Sequence, residues 1–269
     1  MDLELQGPVA LVTGSSRGIG EGIVRGLAQE GATVIVHGRS RAAAEAVAKE
    51  IVAGGGQAFA VTGDLTDDSA VENLVAEAIS LAGPISILVN NAGGSGATED
   101  WSTTRPETWS EGYDRNVLAA LRVTTRVLPG MREAGWGRVI NISSMAALMP
   151  PFKRPDYAAA KAAMITMTSS LAKAVATEGI TANCVSPGTI RSDSLEKAFR
   201  TVASNQGMPP ETTWQKIEEK VLPLFADVAM RRVGTLAEIS DAIAFLASPR
   251  ASYITGTNLR LDGGMWPGL

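Results

Sequence analysis

Residues 9–24, VALVTGSSRGIGEGIV, join an apolar run, a glycine-punctuated turn and a helical pattern in immediate succession. The run 9–12 carries no polar residue, as a strand covered on both faces requires. Glycines at 14, 18 and 20 permit a tight turn and let backbone N–H groups come close to an anion, which the positive end of the following helix also favours. Glycines serve plain turns as well, so placement decides. This is the first strand–turn–helix of the chain, the place where a doubly wound α/β fold holds the pyrophosphate of a dinucleotide. Candidate contacts are Gly14, Ser16, Arg17, Gly18, Ile19 and Gly20.

The alternation continues outward. Short apolar runs at 33–38, 57–62, 85–91, 137–144, 179–187 and 258–264 are separated by longer segments with an apolar stripe and a closing glycine, such as EGIVRGLAQEG at 21–31. Such a rhythm implies βαβ units and a mainly parallel sheet with helices on both faces. No low-complexity linker or composition shift divides the chain, so one domain over 1–269 is expected. Two regions break the rhythm: a polar loop from Gly94 to Thr108 followed by Trp109, and residues 191–232 with Pro209-Pro210. The second is expected to form a helical lid over a substrate, anchored by Phe199, Met208, Trp214, Leu224 and Phe225.

Composition narrows the function. The 269 residues are 45% hydrophobic and 19% charged, those of an ordinary globular protein. With 24 Lys plus Arg against 28 Asp plus Glu, no general charge draws the chain to nucleic acid or an anionic membrane. One cysteine, Cys184, and one histidine, His37, leave no disulfide and no ligand supply for a Cys/His zinc site, so no metal is expected. The first residues lack a basic segment followed by an apolar one, and no apolar run approaches a membrane span. A cytoplasmic, unprocessed protein is the expectation.

At the end of the second apolar run, VIVHGRSR places Gly38 where an NAD site commonly holds an acid, followed by Arg39. Arg39, with Arg17 from the glycine turn, suits the 2′-phosphate of NADP(H), with NAD(H) as the alternative. His37 lies at the adenosine end and has no role as a general base.

The stretch PDYAAAKAAM at 155–164 sets Tyr157 and Lys161 four residues apart with alanines between, so on a helix both polar heads share one face. Alone, this is ordinary helix. In its context the chain resembles a short-chain dehydrogenase/reductase, and is most similar to the 3-oxoacyl-acyl-carrier-protein reductases. The elements that carry the resemblance are TGSSRGIG at 13–20, GDL at 63–65, NNAG at 90–93, RNV at 115–117, NISS at 141–144, YAAAK at 157–161, SPGT at 186–189 and LRLDGG at 259–264.

The resemblance implies a catalytic tetrad of Asn116, Ser144, Tyr157 and Lys161. Ser144 is preferred to Ser143 because it lies thirteen positions before the tyrosine, and neighbours on a strand face opposite ways. It also implies cofactor contacts from Asp64 and Leu65 at the adenine, Asn90, Ala92 and Gly93 beside the fourth strand, and Pro187, Gly188 and Thr189 at the nicotinamide carboxamide. Tyr157 and Lys161 count among these contacts. On this reading Tyr157 exchanges the proton with Lys161 lowering its pKa, Ser144 stabilises the carbonyl oxygen, and Asn116 fixes a backbone-bound water that returns protons through Lys161.

The glycine spacing and chain length argue against the extended, epimerase-like branch. The tail RRVGTLAEISDAIAFLASPRASYITGTNLRLDGG, at 231–264, implies a homotetramer and says little about substrate. Substrate walls are expected from 94–109, 145–156 and the lid. Met145, Leu148, Met149 and Phe152 offer an apolar surface, while Lys153 and Arg154 could meet a phosphate or carboxylate. The expected activity is NADP(H)-dependent hydride transfer with a ketone or secondary alcohol, a 3-oxoacyl thioester or another small apolar carbonyl compound. Alternatives are an NAD-linked alcohol dehydrogenase and a non-catalytic dinucleotide sensor.

Overall fold

Val9 to Val12 are all buried, and alternate residues serve opposite faces of a sheet: Ala10 and Val12 pack into one core, Val9 and Leu11 into another. That two-sided burial is why the run carries no polar residue. The computed structural model describes residues 2–96 and 99–268.

In chain order the elements are β1 (Val9–Val12), α1 (Gly18–Gln29), β2 (Thr33–Gly38), α2 (Arg41–Ala53), β3 (Gln57–Thr62), α3 (Asp68–Ala82), β4 (Ile87–Asn90) and α4 (Pro106–Tyr113). They continue with a π-helical turn (Asp114–Leu118), α5 (Ala119–Ala134), β5 (Gly137–Ile142), α6 (Pro155–Val175), β6 (Ile180–Pro187), α7 (Asp193–Asn205), α8 (Trp214–Phe225), α9 (Leu236–Ala247) and β7 (Asn258–Leu261). Each apolar run named from sequence contains one strand. The seven strands form one parallel sheet in the order β3-β2-β1-β4-β5-β6-β7.

Helices α1 and α9 cover one face through Ile23, Val24, Leu27, Ile239 and Ile243. Helices α3 and α5 cover the other through Val71, Leu74, Val123 and Val127. Each such side chain, fully withdrawn from water, contributes about 1.5–3 kcal/mol. The chain reverses direction across the sheet between β1 and β4, so a crevice opens outside their carboxyl ends. The glycine turn, the NNAG segment and the start of α6 all meet there.

Residues 191–232 fold as α7 and α8 around a small core of their own, with Phe199 fully buried, Trp214 stacked on it at 5.6 Å and Phe225 at 4.8 Å. Two expected anchors differ in burial. Leu224 is 59% exposed and Phe225 49% exposed, because the last turn of α8 runs past the edge of this core. No helix among the described residues is long and apolar enough to cross a membrane.

Candidate active site

The glycine turn is held by what surrounds it. Gly14 adopts φ +64°, and a Cβ there would stand 2.9 Å from the Ala92 Cα, so the first turn and the NNAG segment touch backbone to backbone. At Gly20 a Cβ would meet the Gly14 carbonyl oxygen and the Asn91 amide. His37, 2% exposed, joins two loops: the Gly14 N–H donates to its Nδ1 at 3.0 Å, and its Nε2–H donates to the Gly63 carbonyl at 3.1 Å. The tautomer follows, since a carbonyl can only accept. Burial depresses its pKa, against the pull of Asp64.

Two adjoining cavities of about 630 and 740 Å³ share Gly14, Arg17, Asn91, Gly93 and Gly94. The first runs past Gly18, Ile19 and Gly20 to Ser144, Tyr157, Lys161, Pro187 and Gly188. The second runs past Ser16 to Arg39, Asp64, Leu65 and Ala92. Together they form a cleft with arginines at one end and the tyrosine at the other. Asp64 Oδ1 accepts from the Thr66 N–H and hydroxyl, which holds its carboxyl below the usual range, and Arg39 adds to that lowering. Space above Gly18, the polar turn and the two arginines, which have no carboxylate within ion-pair distance among the described residues, fit a phosphorylated dinucleotide.

Two expected cofactor contacts are turned elsewhere. The Asn90 side chain is 2% exposed and donates to Thr124 Oγ1 at 3.0 Å and Asn141 Oδ1 at 2.8 Å, bracing β4 against β5 and α5. Its neighbour Asn91 lines the cleft and donates to the Thr13 and Gly14 carbonyls, both at 3.0 Å. Thr189 lines a separate cavity with Ile190, Arg232 and Asp262, and its carbonyl accepts from the Gly234 N–H. Its backbone has already turned out of the cleft after Gly188. The cleft is met instead by Ser192, the N-cap of α7, and by Asp193 and Ser194. The Ser-x-x pattern before an amphipathic helix was the readable signal for that cap.

The four candidate catalytic residues come from three places in the chain: the π-helical turn, the segment after β5, and α6. Ser144 ends the segment after β5. Its hydroxyl accepts from the Ala146 N–H and faces the Tyr157 phenol, whereas the Ser143 hydroxyl is buried and donates 2.7 Å to the Lys161 carbonyl. Tyr157 and Lys161 share one face of α6, with the ammonium 5.8 Å from the ring centre. Lys161, 4% exposed, donates 2.8 Å to the Ile142 carbonyl. Asn116 lies in the π-helical turn, a distortion that commonly marks a functional position and that no sequence pattern announced. Its amide donates to the Gly112 and Gly94 carbonyls and its Oδ1 accepts from the Gly94 N–H, which ties the loop after β4 to the helix.

The electrostatics depart from the expectation. Burial pushes the Tyr157 phenol above its ordinary value, while Ser144 and Arg154 pull it down. Burial also pulls the Lys161 ammonium down to about 8. Ser144 and Arg154 are the groups that offset the rise at Tyr157. Both groups lie out of water, where each favours its neutral form. The neighbouring Cys184 thiol is pushed up to about 11 and stays protonated. Residues 97 and 98, part of the expected substrate wall, lie outside the described residues.

Comparison with known proteins agrees with this geometry. A family model for short chain dehydrogenases matches residues 8–203. The chain is 37% identical over 266 residues to a 3-oxoacyl-[acyl-carrier-protein] reductase of Vibrio cholerae, covering 98% of this chain and 99% of that one. Its fold matches an L-sorbose reductase from Gluconobacter frateurii, whose structure holds NADPH and L-sorbose, with a TM-score of 0.92 and 31% identity over 100% of both chains. It also matches a 3-oxoacyl (acyl-carrier-protein) reductase from Agrobacterium tumefaciens with NADP bound, at a TM-score of 0.85 and 34% identity over 98% of this chain and 96% of that one. The chain belongs to the short-chain dehydrogenase family.

Proposed function

We propose that the protein is an NADP(H)-dependent oxidoreductase that interconverts a ketone and the corresponding secondary alcohol. The observation that carries the reading is one continuous cleft with unpaired Arg17 and Arg39 at one end and Ser144, Tyr157 and Lys161 at the other. The relatives named above reduce 3-oxoacyl thioesters and L-sorbose by their names, and both are ketones.

When bound, the nicotinamide supplies the hydride and, once oxidised, a positive charge. Tyr157 donates its phenolic proton to the carbonyl oxygen as the carbon receives the hydride, so the ketone gains two hydrogens and becomes an alcohol. Ser144 donates a hydrogen bond to the same oxygen and stabilises the charge that develops there. Lys161, with a pKa near 8, stands ready to return a proton to the phenolate. Asn116 holds the Gly94 backbone and keeps that wall in place. Oxidation of an alcohol reverses each step.

Helices α7 and α8 act as the substrate lid, a role supported by their separate core and by Ser192, Asp193 and Ser194 reaching the cleft. A homotetramer is supported by β7 standing at a sheet edge and by Tyr253, which is fully exposed beside it. The single buried Cys184 suits a reducing cytoplasm. Steady-state oxidation of NADPH and of NADH with 3-oxoacyl thioesters, simple ketones and ketoses tests the reading. Turnover with NADPH is expected, and none with any ketone would contradict it.

A further inference from the structure

Arg154 has an unusual backbone and an unused charge. It is the N-cap of α6, in the left-handed region at φ 67° and ψ 51°, a conformation that costs an arginine energy and is cheaper for glycine or asparagine. It stands three residues before Tyr157, at the entrance to the helix that carries it, and its charge is felt at that phenol. Its N–H donates 2.9 Å to the Glu99 carbonyl, which ties it to the loop after β4. Its guanidinium reaches Ser95, at 3.4 Å from the hydroxyl, and Ser95 lines the cleft beside Gly94. The side chain is exposed and stands at the rim beside Ser95.

Most of the surrounding charges have partners, while Glu99 Oε2 is buried without one among the described residues. The Glu99 carboxylate turns to the Thr108 hydroxyl at 3.2 Å. Asp156 turns toward Gly112 on α4. Lys153 rests against the Phe152 ring, 5.6 Å from its centre. Arg115, the next cation along the loop, shares its cavity with Glu111 and Asp114. Among the described residues no carboxylate lies within ion-pair distance of Arg154, whereas Arg191, Arg200 and Arg232, in and beside α7 and α9, are each paired. Its charge partly offsets, after Ser144, the rise that burial imposes on the Tyr157 phenol.

We propose that Arg154 is a specificity-determining subsite that binds a carboxylate carried by the carbonyl substrate, with the carbonyl at Tyr157 and the carboxylate between Tyr157 and Ser95. A guanidinium fork matches a carboxylate in two parallel hydrogen bonds, and one unpaired cation balances a monoanion better than the double charge of a phosphate. The inference rests on the reductase reading and moves it from apolar ketones to oxo acids.

The test uses matched pairs with NADPH: 5-keto-D-gluconate against L-sorbose, which differ only by a terminal carboxylate in place of a hydroxymethyl group, and 4-oxopentanoate against its methyl ester. Wild type is expected to prefer the acid in at least one pair. Arg154→Asn removes the charge while keeping a residue that tolerates the left-handed backbone. It should lower the acid-to-neutral ratio of kcat/KM about tenfold or more through KM, and Arg154→Lys should restore part of it. A ratio unchanged within about twofold, or no acid preference in wild type despite neutral-ketone turnover, overturns the subsite alone. No turnover of any ketone overturns the reductase reading as well.

Discussion

The Lys161 ammonium stands 5.8 Å from the centre of the Tyr157 ring, one helical turn along α6, and burial drives the two pKa values apart, the phenol upward and the ammonium down to about 8. A lysine near 8 can lend and recover a proton at working pH, which an exposed lysine near 10.5 does poorly. That readiness has a cost in stability.

Below about pH 8 the folded protein must bury a charged lysine. The unfolded chain binds the Lys161 proton more tightly than the folded one, so stability rises with pH from about 8 to 10.5. Lys161→Met removes the burden. Denaturant unfolding should find it more stable than wild type near neutrality by roughly 3 kcal/mol at most, with the gap closing as pH approaches 10.5. A variant less stable than wild type at neutral pH would show that the Ile142 hydrogen bond outweighs the desolvation.

His37 couples the glycine turn to the loop before Asp64 only while neutral, because its Nδ1 must accept from the Gly14 N–H. Its folded pKa is depressed, so its contribution is complete above the unfolded value of about 6.5 and is lost as pH falls below it. Wild type should lose stability on acidification through that window more steeply than His37→Asn, measured by thermal unfolding. His37→Ala should also weaken NADPH binding. Equal acid sensitivity in wild type and His37→Asn would remove the imidazole from this account.

Arg39 faces the adenosine-side cavity without an ion-pair partner among the described residues, and Asp64 feels its charge. Arg39→Asp should cut the preference for NADPH over NADH about tenfold to a hundredfold, the worth of charge-assisted hydrogen bonds to the 2′-phosphate. Measured dissociation constants for both cofactors in both proteins decide this. An unchanged ratio would move the phosphate site to Arg17 alone.

The inner strands were legible because burial on both faces leaves continuous apolar runs, while the partly buried edge strands β3 and β7 were legible from their place in the alternation. The proposed tetrad rests on the order of several motifs, since Tyr157 and Lys161 alone look like ordinary helix. Ser144 was chosen over Ser143 from its spacing to Tyr157, and the Ser143 hydroxyl is indeed turned to the Lys161 carbonyl. The sequence did not show that the Asn90 side chain braces β4 against β5 and α5 while Asn91 lines the cleft, because that depends on partners distant in the chain. Thr189 lines a neighbouring cavity, and the approach of Ser192 to the cleft depends on how the chain runs after Gly188, which local sequence does not report. The π-helical turn at Asn116 and the direction of the Tyr157 shift depend on packing, which local sequence does not report.

The most direct measurement is the single-turnover rate of NADPH oxidation with a saturating reactive ketone, in wild type and in Tyr157→Phe, with NADPH binding followed separately by fluorescence. The rate should fall about 10²–10⁴-fold while NADPH still binds, because the phenyl ring fills the same space without a proton to donate. A Tyr157→Phe rate within about threefold of wild type would contradict Tyr157 as the proton donor and with it the assigned chemistry of the cleft.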